Sequence, residues 1–167
     1  MGNFLSLPIL VIAAALQASL GKQILLLGGA PDLVFLLILS WSINAELEES
    51  VLWAFVGGIC LDLLSAAPTG ASIPGILIVI FGVSGLGQQV YRIGLIFLIG
   101  LVLVGSLVQQ LIFAIIMATL GYPTLTLETV TYVILPTVLY NLLLVLPVYW
   151  FVRRIQRRLS RRKIRLS

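Results

Sequence analysis

Residues 93–120 contain no charged side chain, and that run exceeds the roughly 20 apolar residues that cross a hydrocarbon core about 30 Å thick. A single tilted helix accommodates the excess. Nothing of this kind fits the surface of a water-soluble domain, and the rest of the chain follows suit. Apolar residues make up 60% of it and charged ones 10%, whereas an ordinary soluble domain carries about 25% charged residues. The charges are also segregated. Of the ten basic residues, only Lys22 and Arg92 precede residue 153. The expected class is an all-α integral membrane protein with a basic tail.

Punctuation divides the apolar sequence into about six transmembrane helices, at about 4–20, 31–46, 51–66, 73–91, 93–120 and 129–152. Together they form a single membrane domain, 1–152, followed by the tail, 153–167. Gly21 and Lys22 end the first span, which is retained rather than cleaved as a signal peptide because it lacks a basic leader and further spans follow. The second is expected to open at Pro31, with Asp32 in its first turn complementing the helix dipole. That leaves residues 23–30 as a re-entrant or interfacial stretch. Glu46, Glu48 and Glu49 mark the next turn, Pro68, Thr69 and Gly70 another, and Gly121 to Pro123 the last. Lys and Arg near span ends stay cytoplasmic, so the tail lies inside. Six spans then put both termini and Arg92 inside and leave only Lys22 outside.

With no histidine and the single cysteine Cys60, the chain has no zinc ligand set, no histidine base and no disulfide framework. Its six carboxylates form no recognisable catalytic pair. No catalytic, cofactor or metal site is expected. The basic residues of the tail, Arg153, Arg154, Arg157, Arg158, Arg161, Arg162, Lys163 and Arg165, follow directly on a hydrophobic span, so anionic lipid headgroups rather than nucleic acid are the expected partner. The tail is expected to serve as a topology anchor, as a helix lying on the membrane surface, or as both.

The clearest one-sided pattern is on the third span, where Ala54, Gly58, Asp62 and Ser65 share a helical stripe. An ionised aspartate facing lipid would cost about 2.5–3.5 kcal/mol or more at mid-span, so Asp62 must face protein or water. Small residues beside it permit close helix approach. Other polar and small residues suited to packing are Gly75, Gly82, Gly85 and Gln89 on the fourth span and Gly105, Ser106, Gln109 and Gln110 on the fifth. On the sixth, Thr137 and Asn141 are four apart, and Pro136 frees the carbonyl of Tyr132. A polar cavity ringed by Asp62, Gln109 and Asn141 is one arrangement these residues allow.

Pro31-Asp32-Leu33 opening an apolar helix, Gly57-Gly58, Asp62-Leu63-Leu64-Ser65, Pro68-Thr69-Gly70, Leu135-Pro136, Tyr140-Asn141 and Pro147 before a run of arginines together resemble the bacterial rod shape-determining MreD family. The resemblance runs from about residue 5 to 160. It implies a non-enzymatic, multi-pass plasma-membrane protein of the cell-elongation machinery. The partners it implies are MreC foremost, then the MreB filament and the RodA glycosyltransferase with its transpeptidase. It also implies the six-helix fold of the substrate-binding subunits of energy-coupling-factor vitamin transporters. That kinship leaves a vitamin-uptake subunit as the alternative, with Ala14/Ala18 or Ala15/Ser19 as a docking face for a transport module.

Overall fold

The computed structural model describes residues 2–23, 29–65, 67–85 and 95–163. These contain seven α-helices: α1 (Gly2–Gln23), α2 (Leu33–Ser42), α3 (Leu47–Leu64), α4 (Ile73–Gly85), α5 (Leu95–Thr119), the single turn α6 (Leu127–Thr129) and α7 (Leu135–Lys163). A π-helical turn, Val130–Ile134, joins α6 to α7, and no strand occurs among the described residues.

α2 is apolar all round, and a helix of that kind must be enclosed. Every residue from Val34 to Ser42 is buried. The helix sits at the centre and packs against α1, α3, α4, α5 and α7. Neighbours approach through glycines. A Cβ on Gly57 would lie 2.5 Å from Ile38 Cδ1, and one on Gly105 would lie 3.1 Å from Val79 and 3.2 Å from Phe35. Such contacts hold helices together where lipid supplies no hydrophobic force between them. At one end of α2, Trp41 stacks on Trp53 of α3, with ring centroids 4.1 Å apart and planes 13° apart.

The outside of the bundle is equally apolar. Leu95, Ile96, Phe97, Val104 and Ile115 of α5 are exposed, as are Leu139, Leu143, Leu146 and Phe151 of α7. Contiguous exposed hydrophobic surface on this scale calls for a nonaqueous surrounding. By length and composition, Leu95–Thr119 and the continuous helical stretch Leu127–Arg158 can each cross a membrane, while Pro8–Ser19, Leu33–Ser42 and Ile73–Gly85 are shorter apolar helices.

Three sequence expectations are corrected. The sequence predicts a second helix over 31–46, but that helix runs only from Leu33 to Ser42. At 1.5 Å per residue this is about 15 Å, half a hydrocarbon core. Pro31 precedes the helix because Asp32 is used as its N-cap. The third helix starts at Leu47 rather than 51, with Glu48 and Glu49 in the first turn, where acidic groups complement the dipole. Finally, the tail is no separate surface helix. α7 continues without a break from the span to Lys163, since no helix breaker follows Val152 and its inner side is tied down. Val152 is buried, Ile155 packs on the core, and Gln156 Nε2 donates to the Trp41 carbonyl at 3.1 Å. Arg165 and residues 24–28 of the re-entrant or interfacial stretch expected at 23–30 lie outside the described residues, while Gln23 is the last residue of α1.

Candidate functional site

The short central helix creates a local problem. Its N-terminus opens inside the bundle, level with Ser106 near the middle of α5, and first-turn N–H groups have no partner within a helix. Away from water each must find one in the protein. The sequence solves this with side chains from several helices. Asp32 Oδ1 accepts from Phe35 N at 3.1 Å, the N-cap bond. Gln17 of α1 spans the same turn, its Oε1 accepting from Val34 N at 3.0 Å and its Nε2 donating to Asp32 Oδ1 at 3.2 Å. Asn141 of α7 accepts from Asp32 N at 2.9 Å and donates through Nδ2 to Ser106 Oγ of α5 at 3.0 Å. Asp32, Ser106 and Asn141 are buried. Gln109 of α5 is also buried and lies beside the Asp32 carboxyl, with its Oε1 unpaired. One connected polar centre thus joins α1, α2, α5 and α7.

The backbone leading into this centre is pressed against the start of α7. A Cβ on Gly29 would lie 2.7 Å from Pro136 Cβ, 2.8 Å from Thr137 N and 2.9 Å from the Val133 carbonyl oxygen. Pro136 cannot donate a backbone hydrogen bond, and the turn before it widens to π geometry, with Leu135 N donating to the Val130 carbonyl. Such π turns are recurrent features of functional sites. Only a residue without a side chain fits at position 29 against that surface.

The second polar constellation is separate. Asp62 is buried near the C-terminus of α3. Its Oδ2 accepts from Gly70 N at 2.6 Å and its Oδ1 from Ser72 N at 3.3 Å. Gly70 has φ +100°, a conformation that glycine adopts without steric cost. Pro68 lends its carbonyl to Ala71 N at 3.1 Å. Asp62 therefore clamps the α3–α4 connection.

Of the stripe expected with it, Ala54 and Gly58 are buried, and Gly58 meets Ile73 at the start of α4. Ser65 is exposed, with its hydroxyl accepting from Ala67 N at 3.2 Å. Asn141 and Gln109 belong to the Asp32 centre, and both Asp62 carboxyl oxygens are engaged on the connection instead. On α4 only Gly75 packs, its added Cβ falling 3.0 Å from the Gln109 carbonyl. A Cβ on Gly82 or Gly85 would meet nothing within 4 Å, and Gln89 lies outside the described residues. On α1, Ala14 faces the core while Ala15 and Ser19 are exposed.

Sequence reasoning misses Gln17 and Gly29. Gln17 carries a visible signal, as the one amide side chain in the first span. Gly29 carries none beyond its place before Pro31.

Fold and centre define a class: an all-helical membrane protein whose central polar side chains bond mainly to one another and to the start of α2, with no nucleophile set beside a base among the described residues of the centre. The family model described as rod shape-determining protein MreD matches residues 1–158, and the chain belongs to that family. It is thus a membrane protein with a role in rod shape determination, in a family of structural membrane proteins rather than of known enzymes. No curated protein and no solved structure matches it.

Proposed function

We propose that this chain is a non-catalytic, multi-pass subunit of the bacterial cell-elongation complex in the plasma membrane. In this reading it crosses the membrane six times with both termini cytoplasmic. It binds MreC and links the MreB filament to RodA and its transpeptidase. The family match over nearly the whole chain carries the proposal. The polar centre supports it, because side chains that bond one another hold helices in register for partners outside. The uninterrupted α7, with a leucine-rich exposed face and basic side chains at its end, offers contact both within the membrane and at its inner surface.

One contact supports the topology. The Gln156 bond to Trp41 brings the basic end of α7 beside the C-terminal end of α2, which in this reading is also cytoplasmic. In a chain whose only native cysteine, Cys60, is replaced, cysteines at Thr69 and Thr126 are expected to react with an impermeant thiol reagent from outside intact cells. Reaction of a cysteine at Ser160 under those conditions overturns the six-span topology.

Depletion in a rod-shaped host should round the cells, and MreC should co-purify with the chain. Removing residues 153–167 should weaken cytoplasmic contacts while contacts between spans persist. The alternative, a vitamin-uptake subunit, predicts normal shape after depletion together with loss of uptake of one vitamin. That outcome would reverse the ranking.

A further inference from the structure

The outer face of α7 changes character along a single line. Leu139, Leu143, Leu146, Trp150, Arg153 and Arg157 recur at intervals of four and three residues, which places them on one stripe of the helix. All six are exposed. The stripe is leucine for its first half, turns to tryptophan, and ends in arginine. At that end, Trp150, Arg153, Arg154, Arg157 and Arg158 line an open groove whose lining contains no carboxylate. Two of its guanidinium groups are held by aromatic rings. Arg154 Cζ lies 5.1 Å from the Trp150 ring centroid, and Arg153 Cζ lies 6.0 Å from that of Tyr149, within the range of cation–π attraction.

The opposite side of this helical segment explains why the groove stays outward. Val152, Ile155 and Gln156 are engaged with the bundle, and Arg153, Arg154, Arg157 and Arg158 are exposed on the rest of the helix. The side chains form two tiers, Arg153 with Arg154 and Arg157 with Arg158, about 6 Å apart along the axis. Planar guanidinium groups grip phosphate oxygens in bidentate fashion.

We propose that this groove is a discrete binding site for a phospholipid whose headgroup carries two phosphates. One phosphate meets each arginine tier, and the acyl chains lie along the Leu139–Leu143–Leu146 stripe. Free phosphate would use only the lower half of the stripe. A lipid uses all of it, and the leucine-to-arginine order matches the order from acyl chain to headgroup. The site goes beyond the general attraction of a basic tail to an anionic leaflet. It rests on the cytoplasmic placement of the α7 end in the proposed topology, but not on any protein partner.

The test uses the full chain in phosphatidylcholine nanodiscs doped with diphosphatidylglycerol or, at matched total charge, with phosphatidylglycerol. Native mass spectrometry then counts the lipid retained. Retention of one diphosphatidylglycerol, at least tenfold above phosphatidylglycerol, is expected. The Arg154→Gln/Arg158→Gln double variant should lose that preference and Trp150→Leu should weaken it several-fold, both with unchanged thermal stability because these side chains are exposed. If the double variant fails to fold, Trp150→Leu and the selectivity between the two lipids decide the matter.

Equal retention of the two lipids at matched charge overturns the discrete site in favour of diffuse attraction. Displacement of the lipid by equimolar inorganic pyrophosphate overturns the lipid in favour of a phosphate site. These measurements need only purified protein, so they can fail while the cell-shape experiments succeed, and the reverse.

Discussion

The chain buries two aspartates and employs them at opposite ranges. Asp62 spends its carboxyl on N–H groups eight and ten residues further on, within one connection. Asp32 joins elements remote in sequence, its carboxyl accepting from Gln17 fifteen residues before it and its backbone N–H donating to Asn141 109 residues after it. The same residue type thus serves as a local clamp in one place and, through carboxyl and backbone N–H together, as a tertiary keystone in the other. The difference lies in what each helix terminus lacks. The α3–α4 connection can fold back on its own aspartate, whereas the start of α2 is enclosed by other helices and must draw donors and acceptors from them. A buried acid in a membrane helix is therefore no sign of a ligand site until its partners are known.

Breaking the keystone should cost most. Asp32→Leu leaves the Phe35 N–H and the Gln17 amide without their acceptor, and each buried unpaired donor costs about 1–3 kcal/mol. The Tm of the purified protein should fall further than for Gly29→Ala, Asp62→Leu or Ser106→Ala, with Asp32→Asn falling less than Asp32→Leu because it retains an acceptor oxygen. A Tm for Asp32→Leu equal to that of Asp62→Leu would erase the distinction between the two aspartates.

Gly29→Ala comes next. The added methyl overlaps Pro136 and the backbone of Thr137, and overpacking of this kind costs about 1–3 kcal/mol. If Tm is unchanged, the close approach of this segment to α7 is not part of the folded protein.

Asp62→Leu should act locally. Hydrogen exchange at the Gly70 and Ser72 amides should accelerate while amides of α2 keep their protection, and Asp62→Asn should be milder in both respects. Because the two constellations share no partners, the effects of Asp62→Leu and Asp32→Leu should add within about 0.5 kcal/mol in the double variant. A larger deviation would show that the two sites are coupled.

The smallest effect is expected at Ser106→Ala, about 1 kcal/mol in a denaturation measurement. There Asn141 loses one bond but still accepts from the Asp32 N–H.

Hydropathy and charge placement are enough to read an all-helical membrane protein from the sequence, along with the apolar segments and the basic end. Each of those properties is summed over neighbouring residues, and lipid acts on the sum. The need for Asp62 to avoid lipid is equally legible, since the cost belongs to the residue itself. Pro136 and Asn141 stand out as polar or helix-breaking positions in an apolar span, but their partners do not. That Asn141 reaches Asp32 and Ser106, that Gly29 underlies Pro136, that Gln17 straddles the first turn of α2, and that α2 is only ten residues long were settled by tertiary structure. A hydrogen bond across 109 residues leaves no periodic trace in the chain. It exists because the buried N-terminus of α2 has no water to turn to, and packing brings those side chains within reach.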